Sequence, residues 1–124
     1  MSKAILLSIH PEFVEKILSG EKEYEFRKVI TKHKPTKMII YSTSPISKVV
    51  AEAEIEEIII DKPEVVWNKT KKSSGIAIEF FFEYYDNKEL AIAYKLKNVN
   101  KYVVPKELKE FGISTPPQSF QYLD

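Results

Sequence analysis

Gly20-Glu21-Lys22-Glu23-Tyr24-Glu25-Phe26-Arg27 is the most informative stretch of this chain. Gly20 is placed to supply the left-handed residue that ends a preceding helix, and the residues after it alternate as those of a strand do. The stretch also sets two cations and a carboxylate at a fixed spacing that ordinary amphipathic structure does not require. Lys22, Glu25 and Arg27 are therefore the first candidates for a functional site.

The residues on the N-terminal side of this stretch predict a strand followed by a short helix. Residues 4–9 form a short apolar run that is typical of a buried strand. Pro11 suits the first turn of a helix, and His10 before it is expected to cap that helix. Apolar residues then recur at helical spacing along one stripe, namely Phe13, Val14, Ile17 and Leu18.

The residues on the C-terminal side predict strands that follow one another closely. The opening stretch alternates, with Tyr24 and Phe26 on one face of a strand and Glu25 and Arg27 on the other. A run of isoleucines after Glu57 breaks the alternation of a later strand, so we expect a bulge there. Further strands are expected over residues 38–41, 48–60 and 90–96.

Short helices are expected between and after these strands, over residues 63–68, 76–85 and 105–111. The second of them also suits a strand by composition, and we favour the helix because Asp86-Asn87 then ends it. Polar, basic loops are expected over residues 32–37 and 69–75. Five to six strands with few helical crossovers predict an α+β fold, a small mixed β-barrel with short peripheral helices, and disfavour a doubly wound sheet.

Composition indicates a globular chain with a single domain over residues 1–124. The absence of cysteine excludes disulfides and thiolate metal sites, and His10 and His33 make no metal motif, so no cofactor is expected. No stretch approaches the roughly 18 apolar residues of a membrane span, and the N-terminus lacks the apolar region of a signal peptide. We therefore expect a cytoplasmic protein without a membrane partner.

The net charge of +1 bears on the kind of nucleic acid that such a chain can bind. Proteins that coat duplexes through charge alone are normally much more basic. The chain suits instead a small local pocket with a few well-placed cations. Tight binding of duplexes without sequence preference is therefore not expected.

The opening stretch reads G-x-K-x-x-E-x-R, which resembles the signature of the ASCH domain, a member of the PUA-like superfamily. A weaker likeness to small stand-alone ASCH proteins extends over essentially the whole chain, through residues 40–45, Trp67, residues 82–85 and residues 116–120. The resemblance implies a PUA-like barrel and an association with RNA or modified nucleotides. In ASCH proteins the opening stretch borders the cleft that is assigned to a nucleotide-like ligand.

Lys22, Glu25 and Arg27 offer chemistry that suits such a ligand. Arg27 can hold phosphate or a base carbonyl with its planar fork of donors. Glu25 can accept a hydrogen bond from an exocyclic amino group, as acidic residues do with cytosine. Lys22 can neutralise phosphate or, when desolvated, serve as a base or nucleophile, although a nearby carboxylate opposes that second role. As plain surface residues, the carboxylate and the guanidinium would form an exposed ion pair worth roughly 0–1 kcal/mol.

Four further residues are candidates for ligand binding. Tyr41, Trp67 and Phe120 could stack on a base, and such stacking is worth about 1–3 kcal/mol per base. The same is possible for Tyr84, Tyr85 and Tyr122. Ser42 could donate to phosphate, although a turn at this position also needs a small polar residue. Aromatic residues at strand or helix spacing more often belong to the core, and Trp67 and Phe120 are the ones best retained as pocket lining.

Three kinds of function remain open on these grounds, one of them a protein-interaction module that serves transcription. The favoured one is a module that binds single-stranded RNA or a modified nucleoside or nucleotide, in RNA processing or in the regulation of transcription or translation. The resemblance also allows an enzyme, either an amidohydrolase acting on N4-acylated cytidine or a ribonuclease, with Lys22 and Glu25 as catalytic residues. Some small ASCH proteins hydrolyse N4-acetylcytidine and have threonine where this chain has Glu25, which favours binding over hydrolysis here.

Overall fold

The structure, a computed structural model, describes residues 3–123 of the chain. Its strands are β1 (Ala4–Ile9), β2 (Tyr24–Arg27), β3 (Lys37–Ser42), β4 (Lys48–Asp61), β5 (Ala91–Lys106) and β6 (Phe120–Leu123). Its α-helices are α1 (Pro11–Ser19), α2 (Pro63–Thr70) and α3 (Ile78–Tyr84). Single turns of 3-10 helix occupy Lys71–Ser73 and Leu108–Phe111.

The strands of this described part form one mixed sheet in the order β2-β5-β4-β3-β1-β6. The pair β1 and β3 is parallel, and the other neighbours are antiparallel. The long strands β4 and β5 pair with shifts of register, one of them between Ile55 and Glu57, where the sequence predicts a bulge. The sheet curls into a half-barrel flanked by the short helices, so the predicted PUA-like mixed barrel is confirmed.

Two packed layers hold β2 and the helices in place. Val14 and Ile17 of α1 are buried against the inner faces of β1, β3, β4 and β5. On the opposite face of β5, α2 and α3 pack against Tyr24 and Phe26 of β2, with Phe81 at the centre of the cluster. β2 is therefore anchored by one face, and its other face points toward the interior of the half-barrel.

The C-terminal half departs from the sequence prediction. β5 continues well beyond residue 96, because its exposed end is supported by pairing with β4 and needs no apolar face. The helix predicted over residues 105–111 is a single 3-10 turn, and the basic loop predicted over residues 69–75 contains the end of α2 and another such turn. β6 was not predicted, since four residues are too short a run to show a strand period.

β6 is shorter than β1, and this difference leaves the end of β1 open. β6 pairs with residues 4–7 of β1, whereas within the described residues the ladder beside Ser8 and Ile9 comes from β3 alone. Pro116 and Pro117 precede β6, and successive prolines lack N–H donors and favour an extended backbone that does not form a ladder. The Pro117 carbonyl accepts a bond from the Ser8 hydroxyl at 2.9 Å, so here the tail meets β1 through a side chain.

Candidate ligand-binding cleft

A cleft of about 580 Å³ opens beside the uncovered end of β1, and its volume is typical of small-ligand sites. The ends of β1 and β2, the start of α1, the helix α3 and the segment before β6 form its walls. The lining residues are Ser8, Ile9, His10, Phe13, Lys22, Glu25, Phe26, Arg27, Thr43, Ile76, Phe80, Tyr84, Pro116, Pro117 and Gln118. Lys22, Glu25 and Arg27, called the charged cluster below, are set among mostly apolar neighbours.

Lys22 is held inside the protein by the helix end that precedes it. Gly20 adopts φ 87°, the left-handed conformation that ends α1, and the Lys22 amide then donates to the Lys16 carbonyl at 3.0 Å. Only 3% of Lys22 is exposed, and its Nζ donates to the Ser74 carbonyl at 3.0 Å. The Phe26 ring centroid lies 4.7 Å from the same nitrogen. A carbonyl and an aromatic face thus replace most of the water around the ammonium.

Burial changes the proton affinity of Lys22. Its pKa falls to about 8 because desolvation disfavours the ammonium; the Glu25 carboxylate opposes this fall, and the charges of Lys16 and Arg27 add to it. Among the residues that the structure describes, Lys22 takes part in no ion pair. An appreciable fraction of the amine is therefore neutral slightly above neutral pH, as a base or a nucleophile requires.

Gly75 packs directly on the stem of Lys22. A Cβ at position 75 would lie 2.5 Å from the Lys22 Cβ and 2.7 Å from its Cγ, and the backbone there is left-handed with φ 72°. The Lys16 Nζ donates to the Gly75 carbonyl at 3.0 Å and fixes this turn against α1. The position of Lys22 therefore depends on a glycine that is remote in the sequence.

We expect Gly75→Ala to destabilise the protein by about 1–3 kcal/mol and to displace Lys22. The added methyl would occupy space that the Lys22 stem fills, and the left-handed backbone adds strain. Denaturant titration measures the loss of unfolding free energy. Gly112→Ala is the matched control, because Gly112 has φ 76° but nothing within 4 Å of the added atom. Equal losses in the two variants would contradict the importance of the close packing.

Glu25 and Arg27 form the ion pair that their shared strand face allows. Arg27 Nη2 and Nε lie 3.0 Å and 3.1 Å from Glu25 Oε2. Nη2 also donates to the Ser8 carbonyl at 2.7 Å, so the guanidinium connects β2 to the uncovered end of β1. Over residues 3–123 no hydrogen bond reaches Glu25 Oε1 or Arg27 Nη1. The pair therefore offers a ligand an acceptor and a donor side by side.

The helix α3 presents aromatic rings to the cleft and to the core. Phe80 and Tyr84, four residues apart, line the cleft, whereas Phe81 and Tyr85 pack in the cluster beneath β2. The Tyr85 hydroxyl donates to the Arg27 carbonyl at 2.9 Å, which ties α3 to the end of β2. Burial raises the pKa of Tyr84 and of Tyr85, so both phenols stay protonated.

His10 lines the cleft and does not cap α1 with its side chain. The ring makes no capping hydrogen bond; the His10 carbonyl instead accepts from the amides of Phe13 and Val14 at 3.0 Å. Its Nδ1 lies 3.5 Å from the Thr43 hydroxyl. His10 is therefore the N-cap residue of α1, as predicted, but it caps the helix through its carbonyl, and its ring turns toward Thr43 at the end of β3.

Neither a metal-binding cluster nor a helix that could span a membrane occurs among the described residues. Residues 3–123 contain no group of three or more His, Cys, Asp or Glu side chains arranged to hold a metal ion. In the same part of the chain, no helix is both long enough and apolar enough to cross a membrane.

Sequence comparison identifies the family of this chain. The model of the ASCH domain matches residues 7–111. The chain belongs to the ASCH domain family. A protein of Zymomonas mobilis named an ASCH domain-containing ribonuclease is 29% identical over 126 residues, which are 98% of this chain and 84% of that protein. The crystal structure of ASCH from Zymomonas mobilis aligns with a TM-score of 0.88 at 27% identity, over 98% of this chain and 88% of that one.

Two longer proteins of Ureaplasma parvum serovar 3 also resemble this ASCH chain. ATP synthase subunit alpha is 33% identical over 122 residues, and large ribosomal subunit protein uL22 is 32% identical over 123 residues; each match covers 98% of this chain. The chain spans 15% of the length of the first protein and 40% of the second. Each match therefore concerns a segment of the longer protein.

The ASCH fold brings Lys22, Glu25 and Arg27 together in one cleft. All three come from the stretch that resembles the family signature, and each reaches the cleft through a local cause. The helix stop at Gly20 places the lysine, and the alternation of β2 places the acid and the arginine on the face that points toward the interior of the half-barrel.

The other four residues selected from the sequence lie outside the lining of this cleft. Tyr41 is buried in a separate apolar cluster, and Ser42 is buried at the end of β3. Trp67 packs against Phe81, and Phe120 packs against the core of the half-barrel. None of the four therefore lines this cleft, and Trp67 and Phe120 are only partly buried.

Most of the other lining residues were not selected from the sequence, and Tyr84 was named only as one of several aromatic residues that could stack on a base. Phe80 and Tyr84 carried a usable signal, since their i, i+4 spacing places both rings on one face of α3. Pro116, Pro117 and Gln118 belong to the tail that carries the family likeness, but nothing in the sequence shows that the tail returns to β1. The tail and α3 are distant from the charged cluster in sequence, so only the fold reveals that they share its cleft.

Proposed function

We propose that this ASCH domain binds an unpaired nucleotide of single-stranded RNA, with the base inside the cleft. The observation that carries the proposal is the free acceptor of Glu25 beside the free donor of Arg27, within a cleft that is otherwise largely apolar. Base edges set donors beside acceptors, and cytosine offers its amino group to carboxylates. The Zymomonas mobilis relative is named a ribonuclease, which supports RNA as the class of ligand.

The charges of the cluster favour a base over a phosphate at this depth. Arg27 is already compensated by Glu25 at 3.0 Å, and the lowered pKa of Lys22 means that its environment supports a cation poorly. A phosphate in the same place would also face the Glu25 carboxylate. A neutral base meets no such repulsion, so we expect the phosphates to lie outside the charged cluster.

A short single-stranded RNA should bind more tightly than a duplex DNA of the same sequence at physiological salt. Paired bases do not present their Watson–Crick edges, and a chain with net charge +1 gains little from a duplex backbone. Fluorescence anisotropy with labelled decamers measures both affinities. Arg27→Lys keeps the charge but loses the planar fork, so it should weaken RNA binding about ten-fold. Tight binding of duplex without sequence preference would contradict the proposal.

Hydrolysis is the second candidate function, because the Lys22 amine is buried and its pKa is about 8. In a ribonuclease the neutral amine would accept the proton of the attacking hydroxyl. In an amidohydrolase it would attack, or activate water at, the acyl carbon of N4-acylated cytidine. Glu25 stands where the acetylcytidine-hydrolysing relatives have threonine, which counts against the amidohydrolase.

Incubation of the protein with short RNAs and with acylated nucleosides distinguishes these functions. Chromatography would reveal RNA fragments for a ribonuclease and a free carboxylic acid for an amidohydrolase. Stable RNA binding without either product would leave the binding module as the function. Each outcome is read on the same protein sample, so a loss of folding cannot imitate any of them.

A further inference from the structure

The cleft wall formed by α3 continues beyond the charged cluster. Phe80 lines the cleft yet remains 48% exposed, and its ring meets the Phe13 ring at 5.6 Å edge to face. Tyr84 follows one helical turn later on the same face. An exposed ring beside a proposed base pocket is a surface on which a second base can stack, since stacking needs only an accessible aromatic face.

A cation accompanies these rings at the end of β2. Lys28 directly follows Arg27, and its Nζ lies 4.3 Å from the centroid of the Tyr84 ring. No ion pair between residues 3 and 123 involves Lys28, so no carboxylate there compensates its charge. The ring holds the ammonium at the cleft while leaving its charge available to an anion.

We propose that Phe80, Tyr84 and Lys28 form a second nucleotide subsite, with Phe80 stacking on a base and Lys28 contacting the phosphate that joins it to the first nucleotide. This inference rests on the proposed function, and it makes the ligand a strand of at least two nucleotides in preference to a free nucleoside. The phosphate that the charged cluster disfavours would thereby gain a cation outside it.

The spacing of the three residues suits this arrangement. Four residues advance about 6 Å along a helix, so Phe80 and Tyr84 are separated by a distance that one sugar-phosphate unit can bridge. Lys28 sits over the Tyr84 ring, and its neighbour in the chain is Arg27, the last residue of β2. An RNA strand whose first base binds Glu25 and Arg27 can therefore contact the Lys28 ammonium with its phosphate and the exposed ring of the cleft wall with its second base.

Calorimetric titration of the four ribonucleosides and their four homodinucleotides tests the second subsite. At least one dinucleotide should bind ten-fold or more tightly than its nucleoside. Phe80→Ala should weaken that dinucleotide roughly ten-fold, and Lys28→Gln should weaken it and reduce the slope of log affinity against log salt by about 0.7, the value for one phosphate contact on a single strand. Lys28→Gln should leave the affinity of the nucleoside unchanged, and Phe80→Ala should weaken the nucleoside clearly less than the dinucleotide.

Lys88→Gln is the matched control, because Lys88 is an exposed lysine on the other side of α3, outside the cleft. It should leave both affinities and the salt slope unchanged, and circular dichroism verifies that all variants remain folded. Equal affinities for nucleoside and dinucleotide, or variants that weaken both ligands alike, would overturn the second subsite and leave the base pocket standing. A wild-type protein that binds none of the eight compounds would overturn the proposed function together with this inference.

Discussion

Lys22→Met is expected to make the protein more stable at pH 7. The pKa of Lys22 falls from 10.5 to about 8 in the fold, a difference of about 2.5. Each pKa unit corresponds to 1.36 kcal/mol, so the buried ammonium costs up to about 3 kcal/mol of unfolding free energy. Methionine has a similar length and no charge, so it removes this cost and still fills the space. Denaturant titration at pH 7 measures the gain.

The dependence of the unfolding free energy on pH tests this explanation more directly than a measurement at one pH. Between about pH 8 and pH 10.5 the unfolded chain still binds the lysine proton that the folded chain has released, so wild-type stability should rise with pH. Below this interval both states are protonated and the full cost is present; above it both are neutral and the cost is gone. The difference in stability between Lys22→Met and wild type should therefore close across the interval. A difference that stays constant up to pH 10.5 would show that the ammonium is not the cause.

Two further variants separate charge, binding and catalysis. Lys72→Met changes an exposed lysine in the 3-10 turn next to Ser74, so it should leave stability and RNA affinity nearly unchanged. Lys22→Arg keeps a cation but has no amine that titrates in this range. Turnover that disappears while RNA affinity persists would assign Lys22 a catalytic role. Turnover equal to wild type would leave the lysine as an electrostatic anchor.

Phe81→Ala should cost about 3–5 kcal/mol of unfolding free energy, a large part of the stability of a domain of this size. Phe81 is fully buried, and its ring centroid lies 4.9 Å from that of Tyr85 and 5.2 Å from that of Phe26. Phe26 lies beneath the Lys22 Nζ, and Tyr85 holds the Arg27 carbonyl. The cavity should therefore also loosen the charged cluster, and thermal or chemical unfolding together with RNA titration measures both effects.

Phe82→Ala is the control for this variant. Phe82 is the next residue on the same helix and has the same side chain, but it is 36% exposed. Removal of the Phe82 ring leaves no closed cavity, so Phe82→Ala should lower the unfolding free energy clearly less than Phe81→Ala does. It should also leave the affinity for RNA unchanged. If both phenylalanines proved equally costly, the buried cluster would not be what supports β2.

The residues of the charged cluster were predictable because their signals are local. The glycine that ends α1 and the alternation of β2 are both determined within a few residues, and together they place Lys22, Glu25 and Arg27. The same reasoning predicted β1, α1 and the choice of helix for α3. The number of strands and the few helical crossovers predicted a small mixed barrel, and the family resemblance specified it as PUA-like; the order of strands was not predicted, since it depends on contacts that no local pattern records.

The burial of Lys22 was not predictable, since its causes come from far along the chain. Ser74, 52 residues away in sequence, and the adjacent Gly75 cover the side chain, within a stretch that looks like a solvated basic loop. The lowered pKa follows from that packing. Tyr41 and Trp67 illustrate the reverse case, because nothing in their local pattern distinguishes an aromatic residue that binds from one that packs.

The uncovered end of β1 affects the size of the opening of the ASCH cleft and leaves the hydrogen-bonding groups inside the cleft unchanged. β6 leaves two residues of β1 bare, about 7 Å of strand. Each residue by which β6 extended before Phe120 in the same register would cover about 3.3 Å more of this edge. A change in the tail between Pro117 and Phe120 would make such an extension without altering Glu25 or Arg27. The size of the opening and the hydrogen-bonding groups inside the cleft are therefore determined by different segments of the chain, so that one can change without the other.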